Sequence, residues 1–149
     1  MKQIPNPYVP RTCFFCGADN PIGLKLKFYE TEGEPKELVC RLNPPSLYAG
    51  YGKILHGGIQ SGLFDEIMGW STAQLTGKLS VTGSLQIEFL KPLYVEQEIE
   101  VRCRFASQDG PRMNFSAEIT DQDGTICTRA TGTYVIVDAE NFKRLVGKE

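Results

Sequence analysis

The sequence lacks any run of about 18 apolar residues, which excludes a membrane-spanning helix. It also lacks a surplus of positive charge. Sixteen Lys and Arg stand against eighteen Asp and Glu, for a formal charge of −2, without the basic footprint that binding a phosphate backbone requires. Neither nucleic acid nor a membrane is expected as a partner. The start, Met1-Lys2-Gln3-Ile4-Pro5-Asn6-Pro7, has no apolar segment of the secretory kind. The five cysteines (Cys13, Cys16, Cys40, Cys103, Cys127) are an odd number, which favours reduced thiols over a disulfide framework. A cytoplasmic location is expected. Histidine occurs once, as His56, and there is no Gly-x-Ser-x-Gly elbow, no second Cys-x-x-Cys and no internal repeat. What is present is ordinary: 41% apolar and 23% charged residues in a chain of 149, the composition of a soluble domain with room for one core. A single domain spanning 1–149 is expected.

The first 23 residues hold four of the nine prolines (Pro5, Pro7, Pro10, Pro21) and predict an irregular arm, because proline lacks a ladder donor and restricts the residue before it. Leu24 to Tyr29 alternates apolar with polar, and Leu38 to Leu42 follows after a Gly33-Glu34-Pro35 break, a pattern that predicts a hairpin. Then the period changes. Ile59, Leu63 and Ile67, with Phe64 and Met68 alongside, predict one helix running to about Leu75. Period two returns in strands expected at about Ser80–Leu90, Glu98–Ser107, Arg112–Asp121 and Thr125–Val137, with turn chemistry at Asp109-Gly110-Pro111 and Asp121-Gln122-Asp123-Gly124. A lone long helix among about six antiparallel strands buries most of its surface only if the sheet curls around it, which makes an α+β fold.

Chemistry concentrates between Leu55 and Trp70. Gly57 and Gly58 stand where the helix starts, so unpaired amides and the positive dipole end face outward with no Cβ in the way, a ready oxyanion site. Asp65 sits mid-helix between Phe64 and Glu66, where aspartate is a poor helix former and an apolar neighbourhood penalises its charge. It shares a side with the small residues Gly58, Ser61, Gly62, Gly69 and Thr72, which implies close approach of another backbone or a ligand. Asp65 lies eight residues beyond Gly57, about 12 Å along a helix. An attacking group and an oxyanion donor must both sit about 3 Å from one reacting carbonyl group. If both act, Gly57 must meet Asp65 of an antiparallel second copy, as a two-fold homodimer arranges.

His56-Gly57-Gly58, Leu63-Phe64-Asp65-Glu66, Val81-Thr82-Gly83-Ser84-Leu85 and Phe89-Leu90-Lys91-Pro92, in that order, resemble the hotdog-fold acyl-CoA thioesterases of the phenylacetic-acid-degradation type. The resemblance covers about residues 50–137, and Cys13-Phe14-Phe15-Cys16-Gly17 with Asn20-Pro21-Ile22-Gly23-Leu24 extends it. It implies one central helix wrapped by a curved antiparallel sheet, with sites between subunits of a homodimer or a dimer of dimers. It also implies that Asp65 is the nucleophile or general base, Gly57 the oxyanion amide, Thr82 the hydroxyl that positions water or the acid, and His56 part of the site lining. Where some relatives carry an amide side chain before the helix, this chain has Gly50 or Tyr51.

Gly58 and Glu66 join His56 as candidate substrate contacts. Coenzyme A carries several phosphates, for which Lys91 and Arg112 are the candidate cations, with Lys53 and Lys78 behind them. Trp70, Phe89, Phe105 and Phe115 are expected in the core or at an interface. His56 invites a Ser-His-Asp or hydratase reading, but a loop histidine bonded to the backbone fits it better. Cys13-x-x-Cys16 has metal-ligand spacing, yet only Cys40 and His56 offer themselves as further ligands, so no metal is expected. The expected activity is acyl thioester hydrolysis with coenzyme A entering only as part of the substrate. A non-catalytic acyl-CoA sensor is the alternative, and a hotdog dehydratase ranks below it.

Overall fold

The computed structural model describes residues 1–6 and 11–147. Pro7 and Pro10 of the expected arm therefore lie outside the described residues. The elements in chain order are β1 (Lys2–Gln3), β2 (Tyr29–Glu30), β3 (Leu38–Leu42), a 3-10 turn (Ser46–Tyr48), α1 (Gly57–Thr76), β4 (Ser80–Phe89), β5 (Ile99–Asp109), β6 (Arg112–Thr120), β7 (Ile126–Ile136) and α2 (Ala139–Leu145). The strands form one antiparallel sheet in the order β1-β2-β3-β5-β6-β7-β4, and it curves around α1 as a hotdog fold.

The sheet has seven strands rather than about six. The extra one is β1, inside the arm expected to be irregular, where Lys2 and Gln3 pair with Glu30 and Tyr29. The strand expected from Leu24 begins only at Tyr29. Lys25 adopts a left-handed φ of 53°, which a strand cannot contain. The Leu24 and Leu26 amides instead donate to the Phe14 and Phe15 carbonyls of the arm, each at 2.9 Å. The second addition is α2, capped by Asp138, whose Oδ1 accepts from the Asn141 amide at 2.7 Å.

Helix α1 is the centre of the core. Leu63, Phe64, Ile67 and Met68 are at most 1% exposed, and burying each such side chain contributes about 1.5–3 kcal/mol. The side of α1 carrying Gly62 faces the arm. A Cβ on Gly62 would lie 2.0 Å from Phe15 Cζ, so the small residue is required by the Phe15 ring seated on the helix backbone. Trp70 continues this contact, with its ring 4.6 Å from that of Phe28. Phe115 is in the core, whereas Phe89 and Phe105 are 55% and 41% exposed.

Strand alternation sorts the two faces of the sheet. Along β5, Ile99, Val101 and Cys103 point at α1, and Glu100, Arg102 and Arg104 point outward. There they form an ion-pair row with Arg41, Glu37 and Glu118 at 2.9–3.4 Å. Strand β4 ends the sheet, with β7 as its one strand neighbour among the described residues.

Candidate active site

The first turn of α1 is braced from three directions. The His56 amide donates to Tyr48 O at 2.9 Å, and the Leu55 amide to Leu93 O at 2.8 Å. The buried Gln60 amide group donates to Leu55 O at 3.0 Å and accepts from Thr128 Oγ1 at 2.6 Å, which ties the turn to β7. His56 is the N-cap: its extended backbone enters the helix, and its Nδ1 accepts from the Gly58 amide at 2.8 Å. The neutral ring then carries its proton on Nε2, so His56 faces solvent as a donor. Since His56 uses the Gly58 N–H and the Gln60 N–H donates to His56 O, the first-turn amides left over are those of Gly57 and Ile59, and of these Gly57 carries no side chain. The Gly57 amide has no acceptor among the described residues, and the Phe89 ring lies 3.4 Å from where the Gly57 Cβ would be.

Two turns further on, Asp65 is half-buried. Its Oδ1 accepts from Thr82 Oγ1 at 2.8 Å and from the Tyr134 hydroxyl at 2.7 Å. Thr82 and Tyr134 face each other across the β4–β7 ladder, so the register itself brings the two hydroxyls to one level. The register shifts between Thr82 and Ser84, a bulge that re-aims the end of β4. Burial, reinforced by the Asp65 charge, pushes the Tyr134 phenol well above its ordinary pKa, which keeps it a donor. Both donors act on Oδ1, and Oδ2 has no partner among the described residues.

The structure thus brings Asp65 and Thr82 together, as the resemblance implies, and adds Tyr134. The sequence carried one signal for it: an inward-facing tyrosine in an alternating strand needs a partner for its hydroxyl. Gly57 and His56 lie at the other end of the same stretch, not beside Asp65. Gly50 packs on His56, with its Cβ position 3.4 Å from His56 Cα, and the Tyr51 side chain is 90% exposed.

Glu66 does not face Thr82 and Tyr134. It turns to the arm, where Cys13 Sγ donates to Glu66 Oε1 at 3.3 Å. The sulfurs of Cys13 and Cys16 and a Glu66 carboxylate oxygen lie within 4.8 Å of one another. Burial first, and then Glu66, pushes the Cys16 thiol upward. Cys40 and His56, the further ligands that the sequence offered, are not part of this cluster.

The two candidate phosphate cations stand at opposite ends of β4. Arg112 is level with Val135, which is level with Val81, next to Thr82. Lys91 lies two residues beyond Phe89, at the Gly57 end. Ten residues of β4 separate these ends by about 33 Å. Lys53 lies in the loop before α1, and Lys78 lies just after the helix, on the side of the arm.

Comparison with known proteins gives a consistent picture. The model of the Thioesterase superfamily matches residues 52–128. Acyl-coenzyme A thioesterase THEM4 of Bos taurus is 23% identical over 128 residues, covering 85% of this chain and 52% of the relative. The chain spans about half the length of the curated relatives it matches. Among solved structures, a thioesterase superfamily protein superposes with a TM-score of 0.77 at 21% identity, over 84% of this chain and 60% of the other. A Streptococcus mutans protein bound to acetyl CoA gives a TM-score of 0.67 at 21% identity, over 74% of this chain and 88% of the other. At these identities the structural likeness shows the fold.

Proposed function

The chain belongs to the thioesterase superfamily, and from that premise we propose that it hydrolyses acyl-CoA or a related acyl thioester to a free acid and a thiol. The observation that carries this reading is the Asp65 carboxylate, held through Oδ1 by two hydroxyl donors with Oδ2 open, on a helix that begins with a bare amide at Gly57. The thioester carbonyl oxygen accepts from the Gly57 N–H, strengthened by the dipole of α1. Asp65 then attacks the carbonyl carbon to give a mixed anhydride, which water hydrolyses to the free acid once the thiolate has left, or it takes a proton from the water that attacks directly. The C–S bond breaks and the thiolate leaves, a leaving group good enough to need no strong general acid. Thr82 and Tyr134 hold the carboxylate in one orientation. His56, with Nε2–H outward, and Gly58 line the entrance.

The site is shared between two copies in this reading. Strand β4, an edge of the sheet among the described residues, carries Thr82 with Asp65 near one end and Phe89 with Gly57 at the other. Antiparallel pairing of two β4 edges about a two-fold axis sets the Gly57 end of one copy beside the Asp65 end of the other. The same pairing brings Lys91 of one copy and Arg112 of the other to one site, where they serve the coenzyme's phosphates. A D2 tetramer would repeat this unit.

A thiol-release assay over aliphatic and aromatic acyl-CoAs tests the activity. Release of one thiol per acid formed is expected. Saturable binding of acyl-CoA without thiol release would replace hydrolysis by the sensor reading.

A further inference from the structure

We propose that Cys13, Cys16 and Glu66 hold one thiophilic divalent cation of the zinc class, with solvent as its fourth ligand, and that this ion fastens the arm to α1. The proposal is independent of the hydrolytic reading. Three donor atoms from segments 53 residues apart in sequence converge within 4.8 Å. Zinc bonds of about 2.0–2.3 Å fit such a triangle after sub-ångström closure of the side chains. The Cys13–Gly17 backbone is shaped to present both sulfurs on one side. The Cys16 amide donates to Cys13 Sγ at 3.4 Å, and the Gly17 amide to Cys13 O at 2.8 Å. Gly17 is needed there, since a Cβ would lie 2.5 Å from Arg11 O and from Cys13 N.

Two further features suit a cation. Glu66 forms no ion pair among the described residues, so no lysine or arginine occupies the position the metal would take. A cavity of about 420 Å³ opens beside the three side chains and gives room for the solvent ligand. Arg11 and Lys78 line this cavity, and their charge offsets the net negative charge of two thiolates and a carboxylate around a divalent ion. The donor set selects the metal: thiolates reject calcium and magnesium, and two sulfurs with one oxygen suit zinc.

The test uses the full chain purified under reducing conditions without chelator. Elemental analysis is expected to return about one zinc per chain, and cobalt substitution is expected to give thiolate-to-cobalt charge-transfer bands with the d–d intensity of a tetrahedral site. Cys13→Ser, at an exposed position that leaves the core untouched, and Glu66→Gln are each expected to weaken zinc binding more than about tenfold, whereas Cys127→Ser retains it. Circular dichroism verifies that each variant is folded. No zinc uptake by the folded, reduced chain, cobalt spectra without thiolate bands, or undiminished binding in Cys13→Ser would each overturn the proposal.

Discussion

Asp65 and Glu66 follow one another on α1, about 100° apart around its axis, and their surroundings have nothing in common. Asp65 looks toward the sheet edge, where two hydroxyls donate to a single oxygen. Glu66 looks toward the arm, where its neighbours are two thiols. Hydroxyl donors hold a carboxylate in one orientation and leave its other oxygen open. Thiols favour a shared proton or a shared cation. Two acids placed side by side by the chain thus meet different surroundings, set by what packs on each face of the helix, and environment rather than residue type sets the behaviour of paired carboxylates.

The contrast can be broken most severely at Asp65. Asp65→Asn keeps the hydrogen-bonding shape and removes the charge, and kcat for acyl-CoA hydrolysis is expected to fall by about 10³-fold or more with an unchanged melting temperature. Gly57→Pro comes next. Gly57 is the first helical residue, His56 before it is already extended, with ψ at 133°, and proline is welcome there. The substitution deletes the free N–H and also sets ring carbons against Phe89, so the kcat loss of about 10²–10³-fold expected for it is read beside Gly57→Ala, which keeps the N–H and is expected to lose less than about tenfold. Tyr134→Phe is milder, with a loss of about tenfold. Glu66→Gln sharpens the comparison from the other side. Measured beside Asp65→Asn, it is expected to lower kcat by less than about tenfold while the stability of the arm falls, read as faster proteolytic nicking near Cys13.

How much of this was legible follows from where each signal resides. The helix and strands β4–β7 announce themselves through period, because each buries one face against the other along its whole length. Strand β1 has two residues and α2 seven, too short for any period to register. The segment from Leu24 failed as a strand through one left-handed residue, Lys25, that no alternation pattern reveals. Asp65 with Thr82 was legible through the ordered motifs they sit in. Tyr134 was hidden by reading as an ordinary strand residue, and the meeting of Cys13 and Cys16 with Glu66 was hidden because folding alone closes a gap of 53 residues. The sequence pointed to Cys40 and His56 as further ligands because residue type and count were all it offered.

The central claim, a catalytic site assembled from Asp65 of one copy and Gly57 of another, is tested most directly by mixing two inactive variants. Asp65→Asn and Gly57→Pro chains are unfolded together, refolded at equal concentration and assayed for thiol release. In a random mixture half of the dimers are hybrids, and each hybrid has one site with both defects and one with neither, so activity is predicted to return to about one quarter of the wild-type value. Refolded mixtures that form hybrid dimers yet stay as inactive as the separate variants would contradict the shared site.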